Sequence, residues 1–493
     1  MLRGCRLQEQ REGSLSALFL SKYFDDCGNK ERSAMSMNEL PVAVIGAGPI
    51  GLAAAAHLVE RGVPIRVYEA GGTVGANIRD WAHIRIFTTW EQSVDTASRR
   101  LLESSGWRLP DPGAFPNGDE IYRHYLKPLA RHSALAPHIE TGARVARITR
   151  LGLDKTSSKG RESAPFELHV ELGGGRQRRD LARAVIDASG TWQNPNPLGA
   201  SGLEAKGEGE FRQRIAYGMP DVLGAQRHRY ADKRVAVVGG GYSAINVLLD
   251  LVQLCKDASK TSLTWIVRGK NMSRIYGGGE ADQLPARGKL GSLLRPLVDE
   301  GRIKLVRGFH IDAVLEGPDG LSLRGVANGD AHSVSGIDEI IACTGQRPDL
   351  EMTRELRLEL DPWLEGVKSL GPLIDPNLHS CGSVPPHGHR EVSHPEPGFY
   401  TIGVKSYGRA PTFLLLTGYE QARSVAAAIA GDLEAADNVQ LVLPETGICE
   451  IDFFEGGAGC CGGPAPAETN ACCVADNVAK IAGKQGCGCG TAA

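Results

Sequence analysis

Short apolar runs alternate with amphipathic stretches from about residue 41 onward. Val42–Ile45 is an apolar run rich in β-branched residues, which is typical of a buried parallel strand. Residues 52–59 follow a helical pattern, and Gly62 stands where such a helix would end. Residues 65–68 form a second apolar run with Glu69 at its end. The pattern predicts two parallel strands joined by a helix.

The same succession recurs later in the chain. An apolar strand begins at Arg234, an amphipathic helix follows it, and Ser262–Val267 is predicted as the next strand. Other strands are predicted at residues 144–149, 166–171, 184–189, 337–345 and 398–403, and other helices at 93–104, 118–132 and 417–430. This order predicts an α/β fold with two Rossmann-like dinucleotide-binding domains, the second inserted in the first.

Three glycines lie between the first strand and its helix. Gly46, Gly48 and Gly51 have GxGxxG spacing. Gly46 permits the tight turn, Gly48 lets a pyrophosphate approach the backbone, and Gly51 allows close packing of helix and strand. The helix N-terminus, at Pro49 and Ile50, offers the pyrophosphate the positive end of the helix dipole.

Glu69 ends the second strand, where an acid can accept hydrogen bonds from ribose hydroxyls. The strand, the glycines, the helix and the acid together predict a dinucleotide site. An ordinary strand–helix–strand unit with chance glycines is the alternative interpretation.

The second unit has GxGxxA spacing. Gly239, Gly241 and Ala244 follow an apolar strand, and Ser243 lies in the first turn of the next helix. The following strand leads into Arg268 and Lys270, with no acid where the first unit has Glu69. Basic groups suit a ribose 2′-phosphate, so NADPH is expected rather than NADH. The alternative is that these are surface charges beside a loop.

Composition narrows the class of protein. The chain has 493 residues and a net charge of −3, which gives no reason to expect nucleic acid or an anionic membrane surface as a partner. No apolar run approaches the ~20 residues of a membrane span. Residues 1–37 do not form a secretory signal, so we expect a disordered or misassigned leader and a cytoplasmic protein with reduced thiols.

The region after Glu69 contains aromatic residues but no cysteine. Flavin disulphide reductases carry a redox cysteine pair shortly after their first dinucleotide unit, so the sequence disfavours that class. Trp81, Phe87 and Trp90 are candidates to stack near a flavin ring, or else are ordinary core residues.

The two dinucleotide units, the crossover ASGTWQNPN and the turn ACTGQRPD together resemble two-domain flavoprotein monooxygenases of the flavin-containing monooxygenase type. The stretches GFYTIGVKSYGRAPTFLLLTGYEQARSVAA and DPNLHSCGSV, with the cysteine-rich end, look closest to flavin monooxygenases of arsenic-resistance operons. The resemblance implies FAD at Gly46, Gly48, Gly51 and Glu69, and NADPH at Gly239, Gly241 and Arg268. The chain departs from many flavoproteins at Gly403, which is followed by Val404 and Lys405 rather than by an acid.

The resemblance predicts a role for each of four parts of the chain. Residues 38–200 are the first part of the FAD domain, 201–350 the NADPH domain, 351–436 the return segment of the FAD domain, and 437–493 a flexible cysteine-rich tail.

The tail carries the most distinctive chemistry. Thiolates select soft ions, including trivalent arsenic and antimony by the polarisability argument, and a bound ion favours their deprotonation. The cysteine pairs of the tail do not have zinc-ribbon spacing. The alternative to a metalloid site is a low-complexity tail with incidental cysteines. The predicted metalloid ligands are Cys449, Cys460, Cys461, Cys472, Cys473, Cys487 and Cys489.

Cys381 lies among several histidines between the second domain and the return segment. It is either a thiol that receives a metalloid close to the flavin or a small buried residue of a domain-crossing loop. Cys255 and Cys343 are expected to be core residues.

The sequence thus predicts an FAD-dependent, NADPH-consuming monooxygenase that oxidises a trivalent arsenical or antimonial with O2. The cofactor would supply the oxidation, and the protein would position the substrate and exclude water. Two alternatives remain at this point. One is an N- or S-hydroxylase of a small organic metabolite, and the other is a metalloid-sequestering chaperone or redox sensor built on a flavoprotein core.

Overall fold

The computed structural model describes residues 36–276, 285–376 and 384–441. The strands of residues 36–200 are β1 Val42–Ile45, β2 Ile65–Glu69, β3 Ile139–Thr141, β4 Ala143–Arg150, β5 Phe166–Leu172, β6 Arg176–Ala182 and β7 Ala184–Asp187. The helices are α1 Pro49–Glu60, α2 Ala76–Asp80, α3 Trp90–Ser93, α4 Thr96–Ser104, α5 Gly118–Ile121 and α6 Lys127–Arg131, the last two joined by a π-helical turn at Tyr122–Leu126.

The middle of the chain forms a second set of elements. Its strands are β8 Ile215–Tyr217, β9 Arg234–Val238, β10 Ser262–Val267, β11 Lys304–Arg307, β12 Phe309–Gly317, β13 Gly320–Ala327, β14 Asp330–Ile337 and β15 Glu339–Ala342. Its helices are α7 Arg227–Tyr230, α8 Tyr242–Leu254, α9 Ser273–Tyr276 and α10 Pro285–Asp299. The last described part contains α11 Gly371–Ile374, β16 Phe399–Thr401, α12 Leu415–Ile429 and α13 Leu433–Asp437.

A parallel sheet in the order β16-β7-β1-β2-β3 forms the first domain. In its centre Val42 lies opposite Ile65 on one side and Ala184 on the other. Strand β16 returns from the far end of the chain and pairs with β7, with Thr401 opposite Asp187. In the sequence, the second domain therefore lies between β7 and β16, which are neighbouring strands of the first sheet. This arrangement confirms the predicted insertion.

The second domain has its own parallel sheet, in the order β11-β10-β9-β15-β8. Each domain also carries a three-stranded antiparallel sheet, β4-β5-β6 in the first and β12-β13-β14 in the second. The sequence pattern predicted β4 and β5, but it did not predict β6 or the sheet β12-β13-β14.

Helix α1 shows how local sequence positions the first site. It begins after Gly48 with Pro49 in its first turn, where the missing N–H group of proline costs no hydrogen bond. It ends at Glu60, and the positive φ of 67° at Gly62 just beyond it allows the N–H groups of Gly62 and Val63 to donate to the carbonyls of Val59 and Leu58. The start of α1 is thereby fixed at the carboxyl edge of the sheet.

Two linkers connect the domains, residues 194–196 and residues 345–347, and they run antiparallel to each other. The N–H of Asn196 donates to the carbonyl of Gly345 at 2.9 Å, and the N–H of Arg347 donates to the carbonyl of Asn194 at 3.0 Å. The Asn196 side chain also donates to the carbonyl of Thr344 at 3.1 Å. The outgoing and returning chains thus form one short ribbon between the two sheets.

Asp250 on α8 makes stability depend on pH. Burial, and then the charge of Asp221, raises the pKa of Asp250 from 3.8 to about 6. Because the folded protein holds this proton more tightly than the unfolded chain, the charged form opposes folding, and stability falls as the pH rises from about 4 through 6. We expect Asp250→Asn to raise the free energy of unfolding at pH 7.5 by up to about 3 kcal/mol, with no gain at pH 3.5.

Denaturant titrations at the two pH values measure this effect. Asp257→Asn is the matched control, because the Asp257 side chain is 72% exposed. An equal gain for Asp250→Asn at both pH values would show that the carboxyl charge is not the cause.

Candidate functional site

The glycines of the first turn have the geometry that their predicted roles require. Gly46 has a φ of 95°, and a Cβ at this position would lie 2.7 Å from the carbonyl oxygen of Ala188. A Cβ on Gly51 would lie 1.9 Å from the carbonyl oxygen of Gly46. A Cβ on Gly48 would meet nothing within 4 Å. Gly46 and Gly51 are therefore required by the turn itself, whereas Gly48 keeps space open above the start of α1.

Glu69 lies beside this turn and binds its backbone. Its carboxylate accepts hydrogen bonds from the N–H of Ala47 at 2.9 Å and of Gly71 at 2.8 Å. Burial raises the pKa of Glu69 above its ordinary value, and these two amides oppose that shift. A carboxylate has about four acceptor positions, so two remain for ribose hydroxyls.

A continuous cleft of about 1760 Å³ begins at this turn. It is lined by five of the residues that the sequence singles out for FAD, namely Gly46, Gly48, Pro49, Ile50 and Glu69. Residues 188–194 after β7 and residues 413–415 at the start of α12 also line it. The open space at Gly48, the start of α1 and the acceptor positions of Glu69 fit the pyrophosphate and ribose of FAD. When bound there, FAD supplies the redox chemistry, and the protein supplies binding and orientation.

The aromatic candidates do not all lie at the cleft. Trp81 and Phe87 line it, together with Trp192. Trp90 does not. Its side chain is 4% exposed and belongs to the apolar core of the first domain, where it packs edge-on against the His124 ring. The prediction of Trp90 as a cofactor contact is therefore corrected, because the first turn of α3 directs this side chain into the core.

The second glycine turn repeats the design of the first. Gly239 has a φ of 133°, and a Cβ there would lie 2.2 Å from the carbonyl oxygen of Cys343. Gly241 precedes α8 and has open space at its Cβ position. Ala244 is buried against the sheet, while Ser243 lines a small cavity between the domains. These residues fit a second pyrophosphate at the start of α8.

The basic residues after β10 are exposed to solvent. Arg268 follows the strand directly, and its guanidinium donates to the carbonyl of Ala200 at 3.2 Å. Lys270 lies two residues further on, with its aliphatic stem below Gly308. Both stand at the edge of the second sheet where the ribose of a bound nucleotide would lie.

We expect Arg268→Ala to reduce the preference for NADPH over NADH about 10- to 100-fold. A charge-assisted hydrogen bond to the 2′-phosphate contributes roughly 1.5–3 kcal/mol, and NADH cannot form it. Rates of flavin reduction at a series of cofactor concentrations measure the ratio. Lys256→Ala, a change at another exposed residue of the same domain, is the control. An unchanged ratio in Arg268→Ala would place the phosphate contact elsewhere.

The cleft of the first domain and the second glycine turn meet at the domain junction. The Phe87 ring of the first domain packs edge-to-face on the Tyr242 ring at the start of α8, with centroids 5.5 Å apart. A cavity of about 210 Å³ lies at this contact. It shares Trp81, Phe87 and Trp192 with the large cleft and reaches Ser243 in the second turn. These shared side chains would adjoin both a flavin held in the cleft and a dinucleotide held at the second turn, where the two would exchange a hydride.

The cysteines of the described residues lie away from the cleft. Cys343 is buried behind the Gly239 turn, where burial raises the pKa of its thiol to about 12. Cys255 is partly buried, and its thiol donates to the carbonyl of Thr261. Cys381 and the predicted metalloid ligands Cys449, Cys460, Cys461, Cys472, Cys473, Cys487 and Cys489 fall outside the described residues. No cluster of metal-ligating side chains occurs within the described ranges.

The fold and the site define an FAD-dependent oxidoreductase with NADPH as its second cofactor. A family model for pyridine nucleotide-disulphide oxidoreductases matches residues 40–367, which is more than half of the chain. The protein belongs to this family.

Relatives and solved structures extend this result. Human flavin-containing monooxygenase 1 is 27% identical over 244 residues, which cover 48% of this chain and 42% of the human protein. The chain thus spans less than half the length of that curated relative. The bacillithiol disulfide reductase of Bacillus cereus superposes with a TM-score of 0.58 at 20% identity, over 80% of this chain and 99% of that one.

An ornithine N-hydroxylase of Kutzneria sp. 744 superposes with a TM-score of 0.54 at 16% identity, again over 80% of this chain and 99% of the other. At such identities the structural similarity establishes the shared fold. The two solved structures carry different chemistries on it.

Sequence reasoning missed several residues of the cleft. Asn77 accepts a hydrogen bond from the Gln193 side chain at 2.8 Å, and Asp80 accepts one from the Trp192 indole at 3.0 Å. These contacts join the loop after β7 to α2. The signal for that loop was present, because ligands bind at the carboxyl ends of parallel strands and residues 188–194 follow such an end.

Proposed function

We propose that the protein is an NADPH-dependent flavin monooxygenase that transfers one oxygen atom from O2 to a small substrate. The observation that carries this proposal is the junction at Phe87 and Tyr242, where the flavin cleft and the second nucleotide turn meet. The first dinucleotide unit and the crossover contain no cysteine that could form a redox pair, since the sequence has none from residue 28 to 254. Disulphide reduction by such a pair is therefore not supported, despite the family name.

The side chains at the junction have a role that follows from their chemistry. Trp81, Phe87 and Trp192 surround the route into the cleft with apolar surface. Exclusion of water protects a reactive oxygen species from wasteful breakdown and strengthens polar contacts within the site. The substrate needs only a nucleophilic lone pair that can accept an oxygen atom.

We further propose that the substrate is a trivalent arsenical or antimonial. The support is the sequence between Cys449 and Cys489, which holds closely spaced thiols suited to soft ions, together with the resemblance to flavin monooxygenases of arsenic-resistance operons. In this proposal the tail thiols capture the metalloid and Cys381 receives it.

Oxygenation of a small amine or thioether is a second candidate. The cavity at the junction favours it, because its walls are mainly aromatic and aliphatic and it encloses about 210 Å³. The solved ornithine N-hydroxylase with the same fold shows that the fold can carry such chemistry.

Steady-state NADPH consumption separates the candidates. The full chain is assayed with arsenite, antimonite or methylarsenite, and in parallel with a tertiary amine and a thioether. Many turnovers stimulated by a metalloid support the main proposal, whereas stimulation by the organic substrates alone supports the second. Binding of metalloid at fixed stoichiometry, with no added turnover, would indicate a chaperone or sensor.

Truncation before Cys460 tests the capture step. We expect the truncated protein to retain FAD and basal NADPH oxidation, because the described cleft ends before residue 416. Its metalloid oxidation should fall about tenfold at low concentration and recover at saturation, since two converging thiols raise the local substrate concentration. A concentration curve identical to that of the full chain would reject capture by the tail.

A further inference from the structure

A buried ion pair forms part of the cleft wall beyond the glycine turn. The Lys405 ammonium lies 2.7 Å from Oδ2 of Asp187, and the two side chains are 3% and 1% exposed. Asp187 ends β7, and Lys405 lies in the short helical turn Gly403–Tyr407 that follows β16. Because β7 and β16 are parallel neighbours, both residues lie at the carboxyl edge of the sheet.

Ser189 forms hydrogen bonds with both members of this pair. Its hydroxyl donates to Oδ1 of Asp187 at 2.7 Å and accepts from the Lys405 ammonium at 3.0 Å. The backbone N–H of Ser189 also donates to Oδ1 of Asp187, at 3.1 Å. An ammonium has three N–H donors. Ser189 uses one of them, while Asp187 is an ion-pair partner whose Oδ2 accepts no hydrogen bond. Within the described ranges, Ser189 is the only residue that accepts a hydrogen bond from Lys405.

Structural stabilisation is a weak explanation for this arrangement. Lysine is rarely buried to this degree, and a buried ion pair is often no more stabilising than apolar residues of similar size. Lys405 and Ser189 both line the flavin cleft, with Gly190 and Val404 beside them. Ser189 adjoins the glycine turn that suits the pyrophosphate, because a Cβ on Gly46 would lie 3.1 Å from the Cα of Ser189. The apolar residues Phe413 and Leu414 line the same cleft. An FAD molecule whose pyrophosphate is held at the glycine turn would therefore place its ribityl–isoalloxazine part within this cleft.

We propose that Lys405 is an FAD-binding residue that donates one of its remaining N–H groups to an oxygen atom of the ribityl–isoalloxazine part of the cofactor. Asp187 and Ser189 hold the ammonium in position and balance its charge. Ribityl hydroxyls and pyrimidine carbonyls can both accept a hydrogen bond, so a fixed donor suits this part of the cofactor.

Three variants of the full chain test this assignment. They are Lys405→Met, Asp187→Asn and the double variant with both changes. The measurements are the FAD dissociation constant, from flavin fluorescence during reconstitution of the apoprotein, and the midpoint potential of the bound flavin. Neither measurement depends on the identity of the substrate, so the result is independent of the proposed function.

We expect Lys405→Met and the double variant to bind FAD about 10- to 100-fold more weakly, because both lack the charged donor. Asp187→Asn should keep its affinity within about threefold and shift the midpoint potential upward, since an unbalanced positive charge favours the more negative reduced flavin. If Lys405 only neutralises Asp187, the double variant should recover wild-type affinity. Recovery of wild-type affinity in the double variant would overturn the assignment, and so would an unchanged midpoint potential in Asp187→Asn. The potential of Asp187→Asn tests the assignment even if the double variant fails to fold.

Discussion

Gly48→Val is expected to abolish FAD retention while leaving the fold intact. The Cβ position of Gly48 is open to the cleft and meets nothing within 4 Å, so the two methyl groups of valine would project into space rather than into the protein. That space is where the pyrophosphate approaches the backbone before α1. We expect the FAD dissociation constant to rise more than 100-fold, with the apoprotein's unfolding midpoint nearly unchanged.

Two further variants make this result specific. Gly209→Val is the matched control, because Gly209 also has an open Cβ position but is exposed to solvent and lies away from the cleft. Gly51→Val should lose both FAD and stability, since its Cβ would lie 1.9 Å from the carbonyl oxygen of Gly46. Full flavin occupancy in Gly48→Val would contradict the assignment of this turn to FAD.

Glu396→Gln is expected to destabilise the protein by about 3–5 kcal/mol. Glu396 is fully buried, and its two oxygens accept from Arg150 and Arg161, each at 2.7 Å. Burial pushes the pKa of Glu396 upward, but the bonds from Arg161, Arg357 and Arg150 outweigh burial and lower it. A neutral amide in this place leaves two buried guanidinium groups without a counter-charge.

This loss of stability would also affect the cofactor site, because Glu396 lies just before β16. It ties the return segment to β4, and that segment completes the first sheet and carries Lys405. Chemical denaturation measures the loss. Glu359→Gln is the control, because it removes the surface ion pair with Lys368. The side chains of Glu359 and Lys368 are both more than half exposed, so the loss of stability should be below about 1 kcal/mol. Similar small losses for both variants would show that the buried pair contributes no more than a surface one.

The nucleotide turns could be predicted from sequence because their chemistry is local. Gly46, Gly48 and Gly51 are required by the backbone within one strand–turn–helix unit, and the structure shows the close approach that excludes a side chain at Gly51. The insertion of the second domain was equally accessible, because an apolar strand pattern resumes at residues 398–403 after the second unit.

Other features could not be predicted from the sequence, because they depend on contacts between distant parts of the chain. Trp90 and Phe87 are three residues apart and have the same aromatic character, yet one packs in the core and the other lines the cleft. The pair of Asp187 and Lys405 forms only when β16 returns beside β7. Strand β6 is rich in arginine, so its polar sequence concealed its pairing with β5. Residue type and spacing carry no information about such contacts.

Isotopically labelled O2 gives the most direct test of the central claim. The full chain is supplied with FAD, NADPH, methylarsenite and labelled O2, and the arsenic product is analysed by mass spectrometry. We predict a pentavalent product with one labelled oxygen atom for each NADPH consumed. A trivalent arsenical recovered unchanged while NADPH is consumed, or a pentavalent product without label, would contradict the account.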